Sequence, residues 1–89
     1  MSENQANIVV YCTQFCPYCV RAKSLLDSKN VAYTTIDIDQ QPEKYSEMVG
    51  KSGGITSVPQ IFIDEQHIGG CDDLFALEGK GDLDSLFHT

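Results

Sequence analysis

Residues 8–38 hold two β-rich runs with a helical pattern between them, and that order leaves few folds open. Ile8, Val9, Val10 and Tyr11 lead a short apolar run to Cys12 that reads as a buried strand. Cys19, Ala22, Leu25 and Leu26 then recur at helical spacing, Pro17 suits a first helical turn and Asn30 suits a stop, so a helix is expected over 17–29. In 31–38 the β-branched residues alternate, with Ala32, Thr34, Ile36 and Ile38 on one side and Tyr33, Thr35 and Asp37 on the other. Strand, helix and strand within about 30 residues make a βαβ unit, whose crossover is right-handed and whose strands run parallel.

The remainder reads as a second helix over 42–50, a glycine-containing loop over 51–57, and two short strands, 60–63 and 66–68. Asp64-Glu65 between those strands fits a tight hairpin. Gly69-Gly70 breaks the pattern. A helix follows over 71–78, carrying Leu74 and Leu77, and Leu83, Leu86 and Phe87 mark a last short helix. The order βαβα then ββα gives an α/β fold. The 89 residues are expected to form a single domain, 1–89, with 1–7 as a loose N-terminal tail.

Charge narrows the partners. Asp and Glu outnumber Lys and Arg 13 to 6, for a net charge of −7, and an acidic chain repels a phosphate backbone. The basic residues Arg21, Lys23, Lys29, Lys44, Lys51 and Lys80 form no dense run, so nucleic acid is not an expected partner. Arg21 and Lys23 nevertheless put a positive spot just after a cysteine pair. No apolar run approaches the roughly 18 residues of a membrane-spanning helix, and 1–7 lack the features of a signal peptide; no membrane association and a cytoplasmic location are the expectation.

The chemistry lies in Cys16-Pro17-Tyr18-Cys19, a C-x-x-C set between a strand and a helix, which in a βαβ context reads as a redox motif. A sulfur at a helix N-terminus meets unpaired N–H groups and the positive end of the dipole, which favour thiolate over thiol. Cys16 is therefore the expected nucleophile. Cys19, one turn further on, is the resolving thiol. The same stabilisation makes Cys16 a good leaving group, so mixed disulfides formed on it turn over quickly. The alternatives are a pair of zinc ligands or two inert thiols. A four-cysteine zinc site usually has a second C-x-x-C, whereas the other cysteines here are Cys12 in the first strand and Cys71 far downstream. No metal site is expected. Cys12 reads as a small apolar filler, with a redox-sensing extra thiol as the alternative, Tyr11, Tyr33 and Tyr45 as packing residues, and His67 and His88 as surface residues without chemistry.

Three segments in order make the chain resemble a glutaredoxin: Cys16-Pro17-Tyr18-Cys19 after the first strand, Thr56-Ser57-Val58-Pro59-Gln60-Ile61-Phe62 leading into the third, and Gly69-Gly70-Cys71-Asp72-Asp73-Leu74 after the fourth. The likeness is to the small bacterial dithiol members. It implies a thioredoxin fold with a four-stranded mixed sheet flanked by helices, and glutathione as reducing co-substrate with no permanently bound cofactor. The implied activity is reduction of protein disulfides and glutathione mixed disulfides through the Cys16/Cys19 dithiol. It further implies that Val58, before a cis Pro59, offers its backbone to the cysteinyl part of glutathione. Gly70, Cys71 and Asp72 would receive the γ-glutamyl end, Tyr18 would pack on the tripeptide, and Thr13 would lie beside its glycyl carboxylate. Many members carry Lys where this chain has Thr13 and Arg where it has Ile55, so the expectation is either a lower glutathione affinity or a substitute cation, Lys51 or Arg21. The implied partners are glutathione and disulfide-bearing or glutathionylated proteins, ribonucleotide reductase among the family's substrates, acted on by a monomer. Two rivals are a thioredoxin-like reductant, disfavoured because no Trp precedes the motif, and an iron-sulfur or zinc carrier, disfavoured by Pro17.

Overall fold

In the computed structural model, which describes residues 6–87, the first apolar run forms β1 (Ile8–Cys12) at the centre of a four-stranded sheet. The chain continues through α1 (Pro17–Ser28), β2 (Thr34–Asp37), α2 (Pro42–Lys51), β3 (Gln60–Ile63), β4 (Gln66–Gly69) and α3 (Cys71–Lys80), and ends in a 3-10 turn, Asp84–Phe87. The strand order is β2-β1-β3-β4. β1 runs parallel to β2, with Val9 opposite Thr34, and antiparallel to β3, with Val10 opposite Ile61; β3 and β4 form an antiparallel hairpin. This is the mixed sheet of a thioredoxin fold. Among the described residues no helix is long and apolar enough to cross a membrane.

Strand alternation divides the core between two faces. Ile8, Val10, Cys12, Ile61 and Ile63 share one cluster with Cys19, Ala22 and Leu26 of α1, Leu74 of α3, and Leu83 and Phe87. Tyr11 and Phe62 point the other way and meet Ile38 and Met48 of α2, with the Tyr11 and Phe62 rings edge to face at 5.6 Å. The larger cluster underlies the helix that begins with the cysteine motif, so the main core supports the site.

Local chemistry sets the boundaries. Asn30 takes a left-handed φ of 58° and stops α1, as its position suggested. Asp64 and Glu65 both have positive φ, the requirement of a two-residue hairpin turn whose twist matches the strands. Gly81, at φ 77°, ends α3, which runs two residues past its expected limit. β2 is shorter than expected because residues 31–33 leave the ladder, and Val31 and Tyr33 pack against the α1-side core instead. A bulge sets Phe62 opposite His67 and Ile61 opposite Gly69, where φ is 120° and an added Cβ would stand 2.3 Å from an Asp73 carboxylate oxygen.

The expectation of a loose tail fails for the two tail residues that are described. Ala6 is buried and its N–H donates to the Phe87 carbonyl at 2.7 Å, while Asn7 exchanges hydrogen bonds with Asp64, both at 2.8 Å. Pairing with the hairpin and the C-terminal turn extends β1's order backwards. Residues 1–5 and His88 lie outside the described residues.

Candidate active site

Cys16 is the N-cap of α1, with extended backbone (φ −129°, ψ 105°) and Pro17 opening the helix. Its sulfur accepts the Cys19 N–H at 3.3 Å, so the thiol does the work that Ser or Asp usually does at this position. On its other side Cys16 Sγ lies 3.9 Å from the Val58 carbonyl oxygen. Cys16 is half-buried, whereas Cys19 is 1% exposed and faces the core. Burial first, and then the hydrogen bond to Cys16, hold the Cys19 thiol well above the usual thiol range, so it keeps its proton until a disulfide forms next to it. One sulfur is presented and the other is held in reserve.

The Val58-Pro59 peptide is cis. Pro59 lies against the start of α3: a Cβ on Gly70 would come within 3.3 Å of the Pro59 carbonyl oxygen. Gly70 caps α3, and its N–H donates to Asp73 Oδ2 at 3.0 Å. Between these elements runs a groove of about 350 Å³. Of the residues singled out in the sequence, Tyr18, Val58, Pro59, Gly70, Cys71 and Asp72 line it, and so do Ile55 and Ser57. Thr13 does not.

Neither cation expected to replace the missing Lys and Arg lines the groove. Lys51 pairs with Glu47 at 3.6 Å and lines a separate hollow with Tyr11 and Phe62. The Arg21 guanidinium sits over the Phe75 ring, 5.3 Å from its centre. The positive end left in the groove is the first turn of α3. Exposed apolar side chains flank the nucleophile, Phe15 at 88% and Val20 at 58% exposure, beside the half-exposed Tyr18.

Gln60 also lines the groove, and sequence reading treated it only as the first residue of a strand. It is 2% exposed; its Nε2 donates to the Ser57 carbonyl at 3.1 Å and its Oε1 lies 2.6 Å from His67 Nε2. His67, expected to be an idle surface residue, stacks on Phe62 with ring centres 5.0 Å apart. The pair braces the loop that carries Val58 and Pro59. The available signal was a polar residue opening the otherwise apolar Gln60-Ile61-Phe62-Ile63.

A model of the glutaredoxin family matches residues 8–68, which include both cysteines and the cis proline. The chain belongs to that family. It is 56% identical over 81 residues to Glutaredoxin 3 of Escherichia coli, covering 91% of this chain and 96% of that one. It is 53% identical over 82 residues to the glutaredoxin of Pseudomonas aeruginosa, covering 92% and 96%. Among solved structures it matches the Brucella melitensis glutaredoxin with a TM-score of 0.83 at 46% identity, over 97% of this chain and 92% of that one. A buckwheat glutaredoxin solved in complex with glutathione matches with a TM-score of 0.84 at 32% identity, over 92% and 76%. This glutaredoxin is a glutathione-dependent thiol–disulfide oxidoreductase.

Proposed function

We propose that Cys16 is the nucleophile and Cys19 the resolving thiol in a cycle that serves two kinds of substrate. With a glutathionylated protein, the Cys16 thiolate attacks the glutathionyl sulfur, the protein leaves as a thiolate, and a second glutathione attacks the Cys16 mixed disulfide to form glutathione disulfide. With a protein disulfide, Cys16 forms a mixed disulfide with one partner sulfur. Cys19 then attacks Cys16, gives up its proton to the departing thiolate, and leaves a Cys16–Cys19 disulfide that two glutathiones reduce. The observation that carries this reading is the placement of Cys16 between the Cys19 N–H and the Val58 carbonyl with Cys19 buried behind it.

Glutathione would lie in the groove beside Cys16. Its cysteinyl backbone would pair with Val58 next to Pro59. Its γ-glutamyl carboxylate would meet the N–H groups at Gly70 and Cys71, with Asp72 taking the ammonium and Tyr18 packing on the peptide. Thr13 lies outside the groove lining. We place the protein in the reducing cytoplasm as a monomer acting on disulfide-bearing and glutathionylated proteins. Ribonucleotide reductase belongs to that substrate class, and no groove residue singles it out.

The test is the initial rate of reduction of a glutathionylated peptide with glutathione as sole donor, read as NADPH oxidation by glutathione reductase. A rate well above the protein-free background supports the reading. A background rate overturns it and makes a thioredoxin-like reductant or a metal carrier the better account.

A further inference from the structure

Three thiols meet where β1 passes under the start of α1. Cys12 ends β1 with 3% exposure and packs in the same buried cluster as Cys19, against which Cys16 also packs. The charged groups that act on Cys12 are Lys23 from α1 and Asp37 from β2, and Cys16 is the other thiol it senses. The proposed cycle uses Cys16 and Cys19 and leaves Cys12 without a task, although it shares their buried cluster.

We propose that Cys12 is a third catalytic thiol, which exchanges into the oxidised active site to form a Cys12–Cys19 disulfide and set Cys16 free. This inference rests on the roles assigned above to Cys16 and Cys19. In the step, the Cys12 thiolate attacks the Cys19 sulfur of the Cys16–Cys19 disulfide. A Cys12–Cys19 bond forms, the Cys16–Cys19 bond breaks, Cys16 departs with the electron pair, and the proton lost by Cys12 is taken up by solvent or by Cys16. One disulfide is present before and after, so no oxidant or reductant is consumed. Cys16 is the better leaving group because a helix N-terminus receives its charge, which directs the attack to the Cys19 side. The new disulfide joins two buried sulfurs that glutathione cannot reach, and it is undone only when Cys16 attacks back. While it lasts, Cys16 works without a resolving thiol. The enzyme then accepts glutathionyl groups and no longer completes the reduction of protein disulfides.

The experiment oxidises the full-length protein with glutathione disulfide, removes small thiols, and quenches samples in acid over time. Free thiols are blocked with N-ethylmaleimide after denaturation, and chymotryptic cleavage after Phe15 and Tyr18 separates the three cysteines for mass spectrometry. The expected result is an early Cys16–Cys19 disulfide, then a growing Cys12–Cys19 disulfide with the blocking group on Cys16. The rate should rise about tenfold per pH unit near neutrality, because burial keeps the Cys12 thiolate scarce. In a second readout, aged oxidised wild type gains one glutathionyl group from a glutathionylated peptide, whereas Cys12→Ala and Cys12→Ser, with Cys16 still tied to Cys19, gain none. Formation of Cys16–Cys19 with Cys12 fully blocked at every time overturns the inference alone. Failure to form Cys16–Cys19 at all overturns the role assignment beneath it as well.

Discussion

The two cysteines of one motif have opposite surroundings, and their chemistry divides accordingly. Cys16 receives a backbone N–H and stands at the edge of a groove, while Cys19 is sealed beneath it and held protonated by burial. Cys19→Ser is therefore expected to keep much of the activity on a glutathionylated peptide and to lose that on an intramolecular protein disulfide. Glutathione replaces the resolving thiol in the first case only. Parallel assays on the two substrates check this, and equal loss on both contradicts the division; Cys16→Ser should abolish both activities. Gln60 is the residue whose importance only the structure reveals. Gln60→Ala leaves the Ser57 carbonyl and His67 without their partner, which should cost about 1–3 kcal/mol of stability. It should also raise the KM for glutathione more than it lowers kcat, since it frees the loop under Val58 rather than touching either sulfur.

Each helix that contributes to the site is held at the end that matters. α1 is capped by its own nucleophile, and α3 is capped by Asp73 reaching back to the Gly70 N–H at 3.0 Å. Asp73→Ala should cost about 0.5–2 kcal/mol, the usual range for losing a helix cap, measurable as a lowered denaturant midpoint. Because the same turn supplies the N–H groups proposed to receive the γ-glutamyl carboxylate, the variant should also bind glutathione more weakly. Asp73→Asn, which keeps an acceptor oxygen, should recover most of the stability. At the far end, Ser52 closes α2, accepting the Ile55 N–H at 3.1 Å and donating its hydroxyl to nearby carbonyls, which fixes where the loop toward Ser57 begins.

Across the whole molecule, ionisation sets both ends of the stability range. Glu47 is hydrogen-bonded by Tyr11 and neighboured by Lys44 and Lys51, which hold its carboxyl below the ordinary value of 4.5. A depressed carboxylate stabilises the fold above its unfolded value and loses that contribution as pH falls through the folded one. The phenols act in the opposite sense. Burial, then hydrogen bonding to Asp27, pushes Tyr33 from 10.0 up to about 12, and burial with Glu47 raises Tyr11 further. Their contribution is complete below pH 10 and is lost as pH rises through the folded values. Denaturant midpoints measured against pH should thus form a plateau, with an acid limb below about 4.5 that Glu47→Gln flattens and an alkaline limb above about 10 that Tyr11→Phe shallows. An acid limb unchanged in Glu47→Gln would contradict the Tyr11–Glu47 link between β1 and α2.

Periodicity, turn residues and spacing are local quantities, and what depends on them was legible in the chain. The βαβ unit, the Asp64-Glu65 hairpin, the Asn30 stop and the seat of Cys16 at a helix N-terminus each follow from residues within a few positions of one another. The family resemblance added the groove-lining stretches around Val58 and Gly70. The rest depends on which distant segments the sheet brings together. Cys16 and Val58 are 42 residues apart in sequence and meet because β3 lies beside β1. Tertiary packing likewise buries Gln60 against His67, docks Ala6 on Phe87 and gathers Cys12 and Cys19 into one core cluster. A single strand records which of its faces is apolar but not which neighbour will cover it, so the elements and the dithiol were the sequence's to determine and the partners of each side chain were decided by strand order and packing.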